Sequence, residues 1–177
     1  MSMNLPNKLT MFRVILIPVF IVVLMTGLVP APANRYIAVA IFCIASFTDY
    51  LDGHIARKYN LVTNFGKFMD PLADKLLVSS ALICMIELGL LPAWIVIIII
   101  SREFIITGFR LLAAEGGLVI AARWWGKIKT VTQMAMIILV LLGVGGIIGS
   151  ILIILATVFT VISGVDYIVK NFSVIKG

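Results

Sequence analysis

Apolar residues in this chain run in long blocks, broken by short polar or Gly/Pro punctuation, rather than alternating along strands or striping one face of helices. A helix that crosses a bilayer needs roughly 20 predominantly apolar residues. Six stretches meet that requirement: about 9–28, 35–59, 65–89, 92–115, 125–143 and 150–171. Gly27 and the Pro30–Pro32 turn end the first, a short link around Asn60–Asn64 joins the second to the third, and Pro92 opens the fourth. Gly143, Gly145, Gly146 and Gly149 precede the sixth and read as a tight turn, although glycines so spaced also serve close helix packing. Met1–Lys8 is expected to form a short interfacial segment before the bilayer. The architecture expected is all-α: an integral membrane bundle of six transmembrane helices, forming a single domain over residues 1–177.

Composition removes the water-soluble alternative. The chain is 62% hydrophobic and 12% charged, with a mean hydropathy of +1.19, whereas soluble domains are nearer half apolar and a quarter charged. The net charge of +6 admits nucleic-acid binding or the positive-inside bias of a membrane protein. No basic stripe with interleaved aromatics is present, so no nucleic-acid partner is expected. In a six-helix trace Lys8, Arg57, Lys58, Lys67, Arg110, Arg123, Lys127, Lys129, Lys170 and Lys176 fall on one side, with Arg35 and Glu87 the main charges opposite. Both termini are therefore expected in the cytoplasm. The first apolar stretch runs past signal-peptide length and carries Arg13, so it reads as a retained helix. Cys43 and Cys84, isolated in apolar runs, read as small core residues rather than zinc ligands.

Charge is scarce, and its placement carries the chemistry. Of eight acidic residues, four lie between positions 49 and 74: Asp49, Asp52, Asp70 and Asp74. Asp49 and Asp52 are three apart; Gly66, Asp70 and Asp74 are successive positions four apart, so each set falls on one helix face. The second and third helices are joined by a short link and are expected to be antiparallel neighbours, bringing all four carboxylates together near the cytoplasmic end of the bundle. Clustered carboxylates resist ionising together, and two divalent cations would neutralise them. Oxygen-only donors favour hard ions, magnesium first, then manganese or calcium. Such a pair clamps a pyrophosphate and stabilises its transfer. Gly53, Ala56 and Gly66 leave room for a bulky ligand or for close helix packing. Arg57, one turn past Gly53, is placed to meet a phosphate; His54 reads as an interfacial bystander. A purely structural role for paired acids in membrane helices is disfavoured by their cost there.

The pattern Asp49-x-x-Asp52-Gly53-x-x-Ala56-Arg57, followed by Gly66-x-x-x-Asp70-x-x-x-Asp74, resembles the signature of the CDP-alcohol phosphatidyltransferases at every fixed position. The resemblance implies a six-helix bundle, commonly a homodimer, with a polar cavity open to the cytoplasm. It implies metal ligation by Asp49, Asp52 and Asp70 with Asp74 close by, and Asp74 as general base. Gly53, Ala56 and Gly66 would border the nucleotide of CDP-diacylglycerol. The run Pro6-Asn7-Lys8-Leu9-Thr10-Met11-Phe12-Arg13, the segment Ser101-Arg102-Glu103 with Thr107 and Arg110, and Gly126-Lys127-Ile128-Lys129-Thr130 with Gln133 are similar to the bacterial branch whose acceptor is sn-glycerol 3-phosphate. That adds Asn7 and Thr10, with Arg57, to the nucleotide-lipid set and implies a multi-pass protein of the bacterial cytoplasmic (inner) membrane, its active site facing the cytoplasm.

Elementary electrostatics points the same way for the acceptor. Arg102 and Glu103 lie roughly 14 Å along the fourth helix at 1.5 Å per residue, where an arginine is costly unless it faces a wet cavity. Arg110 is two turns on, and Lys127 and Lys129 begin the fifth helix; together with Arg102 these could hold an acceptor phosphate. The plainer reading pairs Arg102 with a neighbouring carboxylate and makes Lys127 and Lys129 topology signals. Two other functions compete: the same transfer to serine or an inositol phosphate, and a small cation transporter, whose paired broken segments in two halves are not seen. The residues leave Asp166 open between cavity and dimer partner, and Glu115 reads as interfacial.

Overall fold

The computed structural model describes residues 4–59, 63–115 and 124–171. The side chains of His54, Ala56, Arg57, Lys67 and Glu115, and residues Arg123 and Lys176, lie outside what is described, and so do the expectations placed on them. Among the described residues there are six helices and no strand: α1 Leu5–Met25, α2 Ala33–Lys58, α3 Asn64–Glu87, α4 Ala93–Glu115, α5 Trp124–Leu141 and α6 Gly146–Lys170. The chain divides into two units, Met1–Glu87 and Leu88–Gly177.

In the first unit, α1 starts earlier than the apolar run suggested. The Asn4 side chain accepts the backbone N–H of Asn7 at 3.1 Å, and Pro6 sits in the first turn, where its missing N–H and fixed φ are tolerated. Leu5–Lys8 is therefore the first turn of α1 and not a separate interfacial segment. The buried stripe of α1 is Pro6, Thr10, Arg13, Ile17, Phe20 and Leu24, spaced three or four apart as one helix face requires. Its first half is polar and its second half apolar. On α2, Ala38, Phe42 and Ala45 are fully buried, and Phe20 of the apolar half meets Phe42 at a ring separation of 6.2 Å. On α3, Ala73, Leu77 and Ala81 are equally sealed; small residues at such positions let backbones approach closely. α1 packs along both α2 and α3, while α2 and α3 touch each other far less. Among the described residues the two aspartate helices are in contact, as expected, but each packs more extensively along α1.

In the second unit, α6 packs against both α4 and α5. Its buried face is Gly149, Ala156, Thr160, Ser163, Gly164 and Tyr167, all small residues but Tyr167, at spacings that keep them on one side of the helix. α6 begins at Gly146, not near 150, and the preceding glycines do make the turn: Gly143 has φ +93. Gly149 serves packing within that same return, since a Cβ there would lie 2.7 Å from the Val144 carbonyl oxygen.

Both units bury charge and expose hydrocarbon, the reverse of a soluble protein. Arg13, Asp52 and Lys129 are buried, while Ile15, Phe47, Ile83, Ile97, Val131 and Ile147 face outward. Among the described residues, three helices are long and apolar enough to cross a membrane, spanning Leu5–Met25, Ala33–Gly53 and Gly146–Lys170. α3 and α4 carry several charged residues along their length, and α5 has 18 residues.

Candidate active site

The polar half of the α1 stripe is where the site begins. Asn7, Thr10 and Arg13 follow one another three residues apart, on one face. Arg13 is fully buried, and each of its guanidinium nitrogens meets an oxygen of α2. Nη2 donates to Asp52 Oδ2 at 2.5 Å and Nε to the Ala45 carbonyl at 3.2 Å. Nη1 lies 2.7 Å from Asp49 Oδ1 in an ion pair whose angle is off the hydrogen-bond direction. Ala45, Asp49 and Asp52 are four and then three apart, so one planar fork reaches all of them. Asp52 is sealed from outside, whereas the Asp49 side chain is 40% exposed and forms the open edge of the group.

One turn back on α1, the Thr10 hydroxyl donates to Asp70 Oδ1 of α3 at 2.6 Å. The Pro6 carbonyl stands further off, at 3.1 Å, so the single hydroxyl proton belongs to Asp70. One turn further back, Asn7 Oδ1 accepts the Thr63 hydroxyl at 2.8 Å, and Thr63 Oγ1 accepts the Gly66 N–H at 3.0 Å, anchoring the start of α3. Asn7 and Thr10, expected at the nucleotide lipid, have these side-chain oxygens committed to α3. Thr10 lies on the buried stripe and Asn7 is partly buried beside it, where an unpaired polar group is costly.

Asp49, Asp52 and Asp70 are thereby brought within electrostatic reach of one another. Asp74 follows Asp70 by one turn of α3 and is partly exposed. Among the described residues no three His, Cys, Asp or Glu side chains converge into a ready-made metal cage; Arg13 and Thr10 hold the aspartates instead. The donor chemistry nonetheless suits the divalent cations that the aspartate pattern implies: the group is all-oxygen and carries excess negative charge. Gly66 is closely lined by oxygens: a Cβ there would stand 3.3 Å from Thr63 Oγ1 and 3.4 Å from both Asn7 Oδ1 and Asp70 Oδ2. Gly53 follows Asp52 directly on α2 and is half-buried.

The basic residues of the second unit divide into two sets. Arg102 Nη1 donates to Glu103 Oε1 at 3.0 Å, and Lys129 Nζ reaches the same oxygen from α5. Lys129 is buried, so it is more than a surface topology charge. The Arg102 stem crosses α6 at Gly164, where a Cβ would lie 3.2 Å from Arg102 Cγ. Arg110 and Lys127 are exposed and are not drawn into this cluster. In the same unit, Arg102 Nε, both amide atoms of Gln133 and the Tyr167 hydroxyl are buried with no hydrogen-bond partner among the described residues. Asp166 pairs with Lys170 one turn along α6.

Sequence reasoning missed the part played by Arg13. Its signal was present as a lone arginine mid-way through an apolar block, seven residues after Pro6. The hub role of Glu103 was also missed, although its place beside Arg102 marked an ion pair.

A helical membrane protein with a buried arginine clasping two of three neighbouring aspartates is the class that fold and site define. A family model, CDP-alcohol phosphatidyltransferase, matches residues 3–162. A Bacillus subtilis (strain 168) protein named CDP-diacylglycerol–glycerol-3-phosphate 3-phosphatidyltransferase is 46% identical over 98% of this chain and 97% of its own length. The Haemophilus influenzae (strain ATCC 51907 / DSM 11121 / KW20 / Rd) protein of the same name is 40% identical over 95% and 93%. A probable phosphatidylglycerophosphate synthase of Mycobacterium tuberculosis (strain CDC 1551 / Oshkosh) is 42% identical over 98% and 84%. The chain belongs to the CDP-alcohol phosphatidyltransferase family.

Proposed function

We propose that this membrane enzyme transfers the phosphatidyl group of CDP-diacylglycerol to sn-glycerol 3-phosphate, releasing CMP and phosphatidylglycerophosphate, a step of phospholipid biosynthesis. The observation that carries the reading is the aspartate group held on Arg13 and Thr10, in a chain that aligns nearly end to end with relatives bearing that enzyme name. The match runs from α1 into α6, which supports one catalytic domain over residues 1–177. All six helices span the bacterial cytoplasmic membrane in this reading, with both termini and a polar cavity on the cytoplasmic side, and the protein works as a homodimer.

Asp49, Asp52, Asp70 and Asp74 hold two divalent cations, magnesium or manganese. When bound, these ions neutralise the pyrophosphate and the charge that develops on departing CMP. Gly53, Ala56 and Gly66 border the nucleotide, and Arg57 faces its phosphate. Arg102, Arg110, Lys127 and Lys129 receive the phosphate of the acceptor. Asp74 takes the proton of the acceptor 1-hydroxyl. The freed oxygen forms a bond to the phosphorus that bears diacylglycerol, and the bond from that phosphorus to the CMP oxygen breaks. Orienting both substrates in one place lowers the barrier further.

The test is CMP release by the purified protein against a panel of acceptors. Turnover with glycerol 3-phosphate, and none with serine or inositol phosphate, is expected. Equal turnover with serine would remove the basic acceptor site. Divalent-ion flux in proteoliposomes without CMP release would point to a transporter instead.

A further inference from the structure

We infer that α1 is the positioning element of the carboxylate group: Arg13 and Thr10 hold one oxygen each of Asp49, Asp52 and Asp70 and so fix the opposite oxygens for a divalent cation. The inference rests on the reading of these aspartates as cation ligands. Its first support is economy of contact. The α1 side chains meet Asp49 at Oδ1, Asp52 at Oδ2 and Asp70 at Oδ1, a single oxygen in each case. Carboxylates bound to metals are commonly oriented in this way by partners that do not touch the ion.

The second support is direction. Asp49 and Asp52 come from α2, Asp70 from α3, and these helices meet each other much less than they meet α1. Thr10 and Arg13, on the buried stripe of α1, are therefore the shared reference against which the carboxylates of two helices are set. The third is charge: three carboxylates beside one guanidinium keep an excess of two negative charges, to which Asp74 adds, and divalent cations offset it. The fourth is side-chain type. Only a planar fork addresses two carboxylates and the Ala45 carbonyl at once; an ammonium on a flexible stem does not. Arg13 and Thr10 are positioning residues, acting through the aspartates and not on substrate.

The experiment is a Mn2+ titration of the purified protein without substrates, followed by the EPR signal of the free ion. It compares wild type with Arg13→Lys, Thr10→Val, Thr10→Ser and the ligand control Asp70→Asn, each checked for folding by its melting temperature in metal-free buffer. Arg13→Lys and Thr10→Val are expected to weaken Mn2+ binding about 10- to 100-fold, as loss of an orienting partner does, while Thr10→Ser keeps wild-type affinity. If Arg13→Lys does not fold, Thr10→Val against Thr10→Ser decides. Superimposable curves for wild type and Thr10→Val would overturn the inference. A wild type that binds no Mn2+, or an Asp70→Asn that binds as wild type does, would instead overturn the cation reading beneath it.

Discussion

Each unit of the molecule carries an arginine in mid-helix, and the two are treated differently. Every guanidinium nitrogen of Arg13 meets an oxygen of α2, Nη1 through an ion pair with Asp49 outside hydrogen-bond geometry, and the group is wholly buried. Arg102 shares one carboxylate oxygen with Lys129, keeps a buried Nε without a hydrogen-bond partner, and stands in a unit where the Gln133 amide and the Tyr167 hydroxyl are likewise unmatched. Buried polar networks are rigid when complete and costly when incomplete. The first unit is thus built as a framework in which every nitrogen of its arginine is paired with an oxygen, while the second holds polar groups that meet no hydrogen-bond partner among the described residues. A framework suits a site that must hold a fixed charge pattern. Unmet donors and acceptors suit one completed by water or a polar ligand.

Substitutions can break or sharpen that contrast. The largest effect should come from Asp74→Asn. Loss of a general base lowers turnover by about 10²- to 10⁴-fold, read as CMP release, with the thermal unfolding curve unchanged; near-native turnover would remove Asp74 from the reaction. Arg13→Gln should cost about 3–5 kcal/mol of stability in detergent, because breaking a buried ion pair leaves carboxylates uncompensated. A loss below about 1 kcal/mol would mean the framework is not complete after all. Gln133→Leu should have the opposite sign. Replacing an unmatched buried amide by a hydrocarbon of similar shape should raise stability by about 1 kcal/mol, seen as a higher melting temperature, and a fall would show that the amide has a partner. Gly164→Ala should be the mildest change, under about 1 kcal/mol of destabilisation. The clash is with the flexible stem of Arg102 at 3.2 Å, and unfolding temperatures would reveal it.

Much of this was legible in the residues. The helices fall within about four residues of the apolar blocks because hydrocarbon thickness sets block length and glycine or proline closes each one. The aspartates stood out because acidic residues are rare here and these recur at helical spacing. The rest depended on contacts that spacing cannot encode. Arg13 in an apolar run argues only against a cleaved leader; that it faces Asp49 and Asp52 depends on which face α1 turns to α2. Thr10 and Asn7 fit the family pattern of the nucleotide site, and spacing could not show that Thr10 also bonds Asp70 and Asn7 also bonds Thr63. Lys129 at the start of α5 reads as a topology charge until Glu103 is seen to reach it. Direct pairing of α2 with α3 followed from their short link, but chain order did not reveal that α1 would lie against both.

The clasp on Arg13 also bears on biogenesis. A lone arginine about 12 Å into a helix costs roughly 2.5–3.5 kcal/mol at the centre of a membrane segment during insertion. For α1 that penalty is relieved only by carboxylates that are synthesised more than thirty residues later, beyond the turn at Gly27. The first two helices should therefore leave the ribosome and partition into lipid together, as a hairpin, with the arginine already neutralised.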